Sequence, residues 1–519
     1  MDFDAPIITD DDLPDAPHAA PVDPEAFVDS LFVDLTEPQK QAVLHTEGPL
    51  LVLAAAGSGK TRVITRRIAY LVAGCGVPPW QILSLTFTNK AAGEMRERVH
   101  KLLGASNSDG TESRATKGLT ITTFHSLCAR LLRRYAEAAG LKPDFSIYDS
   151  ADQLALVKKA IAGAQLSTSN FQPRSVLTAI SNAKNDLVDC EAFAMSASDF
   201  SSKCIAAVYR SYTKSLRQAN AVDFDDLLLL VAKVLKQNPD VREDCRRRWQ
   251  YLLIDEYQDT NKAQFQIASL IAGESTPDRK PNICVVGDPD QAIYGWRGAD
   301  ISNILDFEEH YPAATVVKLG ENFRSTAPIL ATADTLIKFN KRRKHKPLFT
   351  SKLGGEKIEV NNCRDERHEG QVVAHWLKRM HEEGKQETDS DGENAVGGLS
   401  WREMAVFYRT NALSRVIEEA MREANIPYTI ARGTSFYERE EVKNAIGYLR
   451  VVANQADSVS LSRIINVPTR GIGDTSYDRV EMVAEREGRP VLELMREVDR
   501  IPDLSSRACL LYTSPSPRD

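Results

Sequence analysis

The chain has 519 residues, with 65 Lys and Arg against 72 Asp and Glu and a formal net charge of −7, and a length of that order implies several domains. No apolar run is long enough to span a bilayer, the first residues are acidic rather than signal-like, and the eight scattered cysteines include no C-x-x-C pair. An integral membrane protein and a zinc or iron–sulfur site are therefore not expected, and a reducing compartment is.

Residues 1–34 hold ten acids and no Lys or Arg, which leaves the rest of the chain at a net charge of +3. This Pro/Asp-rich tail reads as disordered and solubilising. Residues 50–53 (LLVL) make a short apolar run suited to a buried parallel strand, and residues 54–61 (AAAGSGKT) a glycine-rich turn after it. A helix should follow, with Val63, Ile64, Ile68, Leu71 and Val72 on one side. Further buried strands are expected near 82–86, 120–122, 251–254 and 283–286, separated by helical text. That alternation predicts a doubly wound, parallel α/β sheet with ligands at its strand C-termini. From about 130 to 220 the chain is helical and strand-poor (151–164, 176–184, 205–217), which suggests a helical subdomain inserted into the first α/β domain. A second α/β unit is expected from about Leu319, with strands at 357–360 and 404–408, and from about 439 the text is helical again. The hydrophilic stretches 105–117 and 387–398 read as surface loops.

A glycine turn between a strand and a helix is the context of a phosphate-binding loop. Backbone N–H groups of residues 57–61 would surround phosphates at the helix N-terminus, where the dipole favours anions. Lys60 would reach the β- and γ-phosphates, and the Thr61 hydroxyl would bind Mg²⁺. The pattern begins with Ala54 where glycine is usual, so the first turn carries a Cβ. Residues 255–261 (DEYQDTN) follow a second buried-strand run. Asp255 fits a carboxylate that holds Mg²⁺, and Glu256, free of the metal, is the better general base for an attacking water. An isolated Asp-Glu pair after a strand is commonly a solvated turn; Gln258, Asp259 and a phosphate loop in the same chain argue otherwise. Residues 287–298 (GDPDQAIYGWRG) set Gln291 near Tyr294, Trp296 and Arg297, a group able to face both a phosphate and stacked bases. Any one of these aromatics alone would be better explained as core. Trp296 is the exception, because it lies in a polar, glycine-rich loop beside Arg297.

These segments resemble the UvrD/Rep family of superfamily 1 DNA helicases. Further stretches match in family order: 35–39 (LTEPQ), 86–92 (TFTNKAA), 123–126 (TFHS), 222–227 (VDFDDL), 322–326 (NFRST) and 408–411 (YRTN), so that the resemblance covers about 35–508. It implies an α/β fold with two RecA-like, parallel-sheet P-loop motor domains, the second incomplete, and inserted helical subdomains. The first motor domain would be 35–129 with 220–318, the helical insertion 130–219, the start of the second motor domain 319–438, and the start of a further helical subdomain 439–508. ATP and Mg²⁺ are the implied cofactors. Nucleotide contacts would come from Ala54, Ala55, Ala56, Gly57, Ser58, Gly59, Lys60, Thr61 and Arg62, with Gln39 reading the adenine edge and Phe323 stacking on the ring. Phe323 stands where the family usually has tyrosine, and so lacks a hydroxyl. Thr61 and Asp255 would hold the metal. Lys60, Asp255, Glu256, Gln291 and Arg324 would be catalytic, Gln291 as the γ-phosphate sensor coupling hydrolysis to DNA and Arg324 as an arginine finger.

The resemblance also implies DNA contacts at Phe87, Thr88, Asn89, Thr123, His125, Phe224, Tyr294, Trp296, Arg297, Arg409 and Asn411. Stacking suits a translocating enzyme, since it is worth ~1–3 kcal/mol per base whatever the sequence. Residues 468–473 (PTRGIG) resemble a hairpin that grips duplex backbone, a glycine turn between helices being the plain alternative. The expected activity is 3′→5′ ATP-dependent DNA unwinding in repair or replication, acting in the cytoplasm on single-stranded and junction DNA, with no membrane partner. The competing readings are a DNA-stimulated ATPase that strips proteins from single strands, and a non-catalytic DNA-binding fragment. A metabolic P-loop kinase is opposed by Gln291 and the aromatic loop. The C-terminus departs from the family: motifs V and VI are absent, and residues 509–519 (CLLYTSPSPRD) resemble a translated sequencing adapter. The chain is therefore expected to be the N-terminal portion of a longer helicase.

Overall fold

The computed structural model describes residues 24–104, 116–274, 280–383, 398–430, 439–497 and 501. The expected disordered tail lies outside the described residues up to 23, as do nearly all of the loops expected at 105–117 and 387–398 and the whole of 509–519. Where composition reads as a tail, residues Pro24–Ser30 form a helix (α1). It is followed by buried Leu31 and by Phe32, whose ring meets Tyr70 edge-on at 5.5 Å.

Two compact units emerge, one made of residues up to Glu356 together with those from Asn444, the other of Lys357–Lys443. In the first, six strands form a wholly parallel sheet. They are β1 (Leu50–Ala54), β2 (Ile82–Thr86), β3 (Thr120–Thr123), β6 (Tyr251–Ile254), β7 (Asn282–Gly287) and β8 (Thr315–Leu319), in the order β3-β2-β6-β7-β1-β8. Two short strands between them in sequence, β4 (Ser146–Tyr148) and β5 (Ala221–Asp223), pair separately, also in parallel.

The continuous apolar runs reflect burial on both faces. Leu51, Leu53, Leu85, Leu252, Ile254 and Val285 enter one core with helices α5 (Phe124–Arg134), α10 (Phe224–Gln237), α11 (Pro239–Arg248) and α12 (Lys262–Ala272). The alternate residues Leu50, Val52, Ile82, Leu253, Cys284 and Val286 enter a second core with α2 (Glu37–Leu44), α3 (Lys60–Ala73) and α4 (Asn89–Leu102). Period-two alternation thus sends neighbouring side chains to opposite cores, and polar residues gather where the strands end.

The stretch between β4 and β5 is helical, as expected: α6 (Ser150–Gly163), α7 (Pro173–Asn185), α8 (Cys190–Ser196) and α9 (Phe200–Gln218) enclose their own core around Val157, Ile161, Val176, Ile180, Val208 and Tyr212. Because β4 and β5 lie side by side, the insertion leaves and returns to the sheet domain at one place. At that place the Lys184 ammonium, 1% exposed, sits 2.7 Å from Asp223 and 2.8 Å from Asp226, while the Tyr212 hydroxyl donates to Asp223 at 2.8 Å. Burial alone would lower the Lys184 pKa, but the two carboxylates more than reverse this and raise it. Lys184→Met would leave both acids buried without a counter-charge. The expected loss is ~3–5 kcal/mol of stability in urea denaturation, and an unchanged unfolding midpoint would show that the pair contributes nothing net.

Residues 444–497 pack onto this insertion: buried Asp457 accepts from the Tyr148 hydroxyl at 2.7 Å, and the Asn454 amide donates to the carbonyls of Ala219 and Asn220. Residues 468–473 form a loop between helices Ser458–Ile464 and Asp474–Glu487. The Arg470 guanidinium steadies it by donating to the carbonyls of Ile464 and Ile465, each at 3.0 Å.

Two strand expectations are corrected. Residues 357–360 and 404–408 belong to no helix or strand, and within Lys357–Lys443 the described residues contain no strand. Val360 is 92% and Phe407 93% exposed. Alternating apolar residues favour a strand only where a neighbour supplies hydrogen bonds and a face to cover. This unit is instead organised by helices Glu366–Glu383 and Ser414–Glu423 around Ala374, Ala420, Met421 and Ile426. Leu319, where the second α/β unit was expected to begin, ends β8 and pairs with Ala54 in the first sheet.

Candidate active site

The polar segments converge at the C-terminal ends of the strands, where an open parallel sheet binds its ligands. After β1 the chain turns through residues 55–59. The Ala55 N–H donates to the Leu319 carbonyl of β8 (2.9 Å), and the buried Ser58 hydroxyl donates to the Ala55 carbonyl (2.7 Å). Gly57 and Gly59 both take left-handed φ, +65° and +86°. A Cβ on Gly57 would come within 2.7 Å of the Asn322 amide nitrogen and 2.8 Å of the Arg324 Cβ, and one on Gly59 within 2.8 Å of the Gln39 amide nitrogen. Both glycines are therefore required by conformation and by space. The N-terminal N–H groups of α3 open onto this loop, a geometry that suits a phosphate.

Gln39 is buried against the loop: its Nε2 donates to the Ser58 carbonyl (2.8 Å), and its Oε1 accepts from the Thr36 N–H (3.0 Å). Arg62 points the other way, donating to the Asp34 carbonyl. The segment after β8 closes over the opposite side. Asn322 donates to the Ala56 carbonyl (2.6 Å), its Oδ1 accepts from the N–H groups of Arg324 and Ser325, and the Phe323 N–H donates to the Gly57 carbonyl (3.0 Å). The side chains of Phe323 and Arg324 are left exposed beside the phosphate loop.

Strand β6 delivers Asp255 and Glu256. Asp255 is buried, and burial, then the nearby Glu256 charge, pushes its carboxyl up to about 6 against the opposing effect of Lys60. Asp259 is pushed up to about 6 for the same reasons. Glu256 has a left-handed backbone (φ +51°), which turns its carboxylate to accept from the Lys60 ammonium and the Gln258 amide, both at 2.8 Å. Gln258 extends the connection: its Oε1 accepts from the Asp288 N–H (2.9 Å), and Asp288 in turn accepts from the Gln291 amide. The buried Lys346 ammonium holds Asp288 at 2.6 Å and also reaches Asp290, which Arg343 contacts at 3.0 Å.

The donor set fits magnesium. The buried Asp255 carboxylate stands at the strand end, and Thr61 follows the loop lysine. Among the described residues no cluster of three or more His, Cys, Asp or Glu could cage a metal. Magnesium is commonly held by one or two carboxylates together with water and phosphate oxygens. Thr61 and Asp255 would hold it, and it would supply charge neutralisation at the phosphates.

The expected DNA-facing residues of this unit form two groups. Phe87 and Tyr294 stack at 4.7 Å and 28°, and the Arg297 guanidinium lies 4.6 Å over Trp296 and 5.5 Å from Tyr294. Trp296 is 73% exposed, which rules out core packing as its role. His125 meets Phe224 edge-on at 6.1 Å, and burial holds its imidazole down at about 4, hence neutral at pH 7. Thr123 is itself buried and caps α5, its hydroxyl accepting from the Ser126 N–H, while Thr88 caps α4. The Thr123 hydroxyl also donates to exposed Asn89 (3.3 Å), so these two are brought together. Arg409 and Asn411 lie, exposed, in the unit Lys357–Lys443. Roles for Asn322, Lys346 and Gln258 escaped the sequence reading. Gln258 and Asn322 lie inside quoted motifs, which alone could have drawn attention to them, and Lys346 lies outside all of them.

Residues 35–312 match the UvrD/REP helicase N-terminal domain, and residues 317–496 the UvrD-like helicase C-terminal domain. A protein of Staphylococcus epidermidis named ATP-dependent DNA helicase PcrA is 43% identical over 474 residues, 91% of this chain and 61% of that protein. Its namesake in Bacillus subtilis is 44% identical over 471 residues, covering 91% and 60% respectively. The chain thus spans about three fifths of the length of the curated relatives it matches.

Proposed function

The chain belongs to the UvrD/REP helicase family, and on that premise we propose that it is the motor of an ATP-dependent DNA helicase, stepping 3′→5′ on single-stranded DNA and opening duplex in repair or replication. On this reading residues 35–129 with 220–318 are the first RecA-like motor domain, 130–219 its helical insertion and 319–438 the second motor region, and a further helical subdomain starts at 439. Leu319 nonetheless ends the first sheet, and the unit from Lys357 holds no strand among the described residues. The chain's site of action is the cytoplasm; among the described residues no helix is long and apolar enough to cross a membrane.

The chemistry follows from the side chains. The loop N–H groups and Lys60 bind the phosphates of ATP. Lys60 and Glu256 meet at 2.8 Å, which sets the carboxylate beside the cation that binds the γ-phosphate. Glu256 then takes the proton of the attacking water as oxygen bonds to the γ-phosphorus and the bond to ADP breaks. Asp255 and Thr61 hold Mg²⁺, which neutralises phosphate charge when bound. Arg324 stabilises the charge on the transferring group.

One observation carries the reading of a motor rather than a simple ATPase: the relay Glu256–Gln258–Asp288–Gln291, which joins the base to the loop that presents Trp296. A base stacked on Trp296 is thereby linked to the position of the γ-phosphate sensor. Trp296→Ala is expected to weaken binding of an oligo-dT strand by ~1–3 kcal/mol and to lower the ratio of DNA-stimulated to basal ATPase. Unaltered affinity and stimulation would sink the coupling. Strand displacement on a tailed duplex separates unwinding from translocation alone.

A further inference from the structure

The last residue of α7 sits where three functional segments meet. Asn185 is buried, and its amide nitrogen donates to the Ser181 carbonyl (2.9 Å) and to the Asp225 carboxylate (3.0 Å), next to Phe224. Its amide oxygen accepts from Asn261 (2.6 Å). Asn261 ends the segment that begins with Asp255 and Glu256, and its own oxygen caps α12 through the Gln264 N–H (2.9 Å). Asn261 also forms a β-bridge with Ala299, just beyond Trp296 and Arg297, and the neighbouring Thr260 carbonyl accepts from the Asp300 N–H (2.9 Å). Gly298, in left-handed conformation, passes so close that a Cβ there would lie 3.5 Å from the Asn185 Cβ. One amide on the helical insertion therefore bonds the Phe224 segment and the end of the carboxylate motif, whose Asn261 bridges in turn to the base of the Trp296 loop, with both amide protons and the amide oxygen engaged.

We propose that Asn185 is a positioning residue that couples stacking of DNA at Phe224 and Trp296 to the Glu256 end of the ATPase site. This rests on the motor reading above. Asn185 touches neither nucleotide nor DNA in that reading; it acts by fixing the relative placement of elements that do. Coupling between such sites is a free energy carried by shared contacts, and it is lost when the shared contact is lost.

The test compares three proteins with the unaltered chain: Asn185→Ala, Asn185→Asp, and the double variant Asn185→Asp with Asp225→Asn. ATPase is measured with and without oligo-dT, and affinity for the labelled strand by anisotropy. Asn185→Ala should reduce DNA stimulation of kcat by about 5- to 150-fold, with the KM for ATP, the DNA-free rate and the affinity for the strand close to unaltered values. Asn185→Asp should be as defective, because it sets a second carboxylate against Asp225, whose own carboxyl burial and then Asp223 already push up to about 6. The double variant restores a donor–acceptor pair across the same gap and should regain most of the stimulation. The inference is overturned if stimulation survives Asn185→Ala, or if basal rate, affinity and thermal stability fall together and the double variant rescues none of them. An unaltered protein whose ATPase ignores DNA overturns the motor reading itself, and this inference with it.

Discussion

Glu256→Gln is expected to reduce ATP turnover by about 10²–10⁴-fold, the range lost when a positioned general base is removed. Nucleotide binding should survive. The amide oxygen can still accept from Lys60 and Gln258, which meet the carboxylate at 2.8 Å, so the loop and the relay keep their geometry. Asp255, the expected metal ligand, is untouched. What disappears is a group able to take a proton from water. Steady-state hydrolysis measured beside binding of a fluorescent ATP analogue checks both halves. Turnover near that of the unaltered protein would remove Glu256 from the role of base and direct attention to Asp259, whose carboxyl lies close by and is also pushed up to about 6.

Arg324→Ala should be at least as damaging, since an arginine finger is worth about 10³–10⁵ in rate where it acts. The structure explains how this side chain is aimed. Asn322 grips the Ala56 carbonyl with its amide nitrogen and orients the Arg324 N–H with its oxygen (2.6 and 2.8 Å), so the arginine emerges beside Gly57 from a backbone fastened to the phosphate loop. A group that meets charge developing in the transition state lowers kcat when lost and leaves the KM for ATP nearly unchanged. Arg324→Lys should recover little, because a point charge does not reproduce the planar fork. A kcat close to that of the unaltered protein would exclude Arg324 from the reaction.

The parts readable from sequence share a physical reason. Strands β1, β6 and β7 are buried on both faces and so appear as unbroken apolar runs, and β2 departs from this only at Ser84 and Thr86. The phosphate loop and the acidic motif follow two of them directly. β8 escaped notice because it is an edge strand, with Lys318 exposed between buried Val317 and Leu319. The strands expected at 357–360 and 404–408 had a suitable composition but no partner. The least readable feature was the polar seam at the insertion. Lys184 and Asn185 look like the solvated end of a helix, yet their partners stand 39, 40 and 76 residues further along the chain. Only the fold brings them together, and no local pattern announces a contact of that range.

The left-handed turn at Glu256 has a consequence for how this site can change over generations. Side chains other than glycine resist that region of backbone space, and holding one there costs on the order of 1–3 kcal/mol. A glycine would make the same turn without resistance, yet it would leave the Lys60 ammonium and the Gln258 amide without the carboxylate they meet at 2.8 Å. Backbone and side-chain contacts therefore pull in opposite directions at this position. A screen that ranks variants by melting temperature reads only the difference between them, whereas selection for turnover must retain a residue that the backbone disfavours.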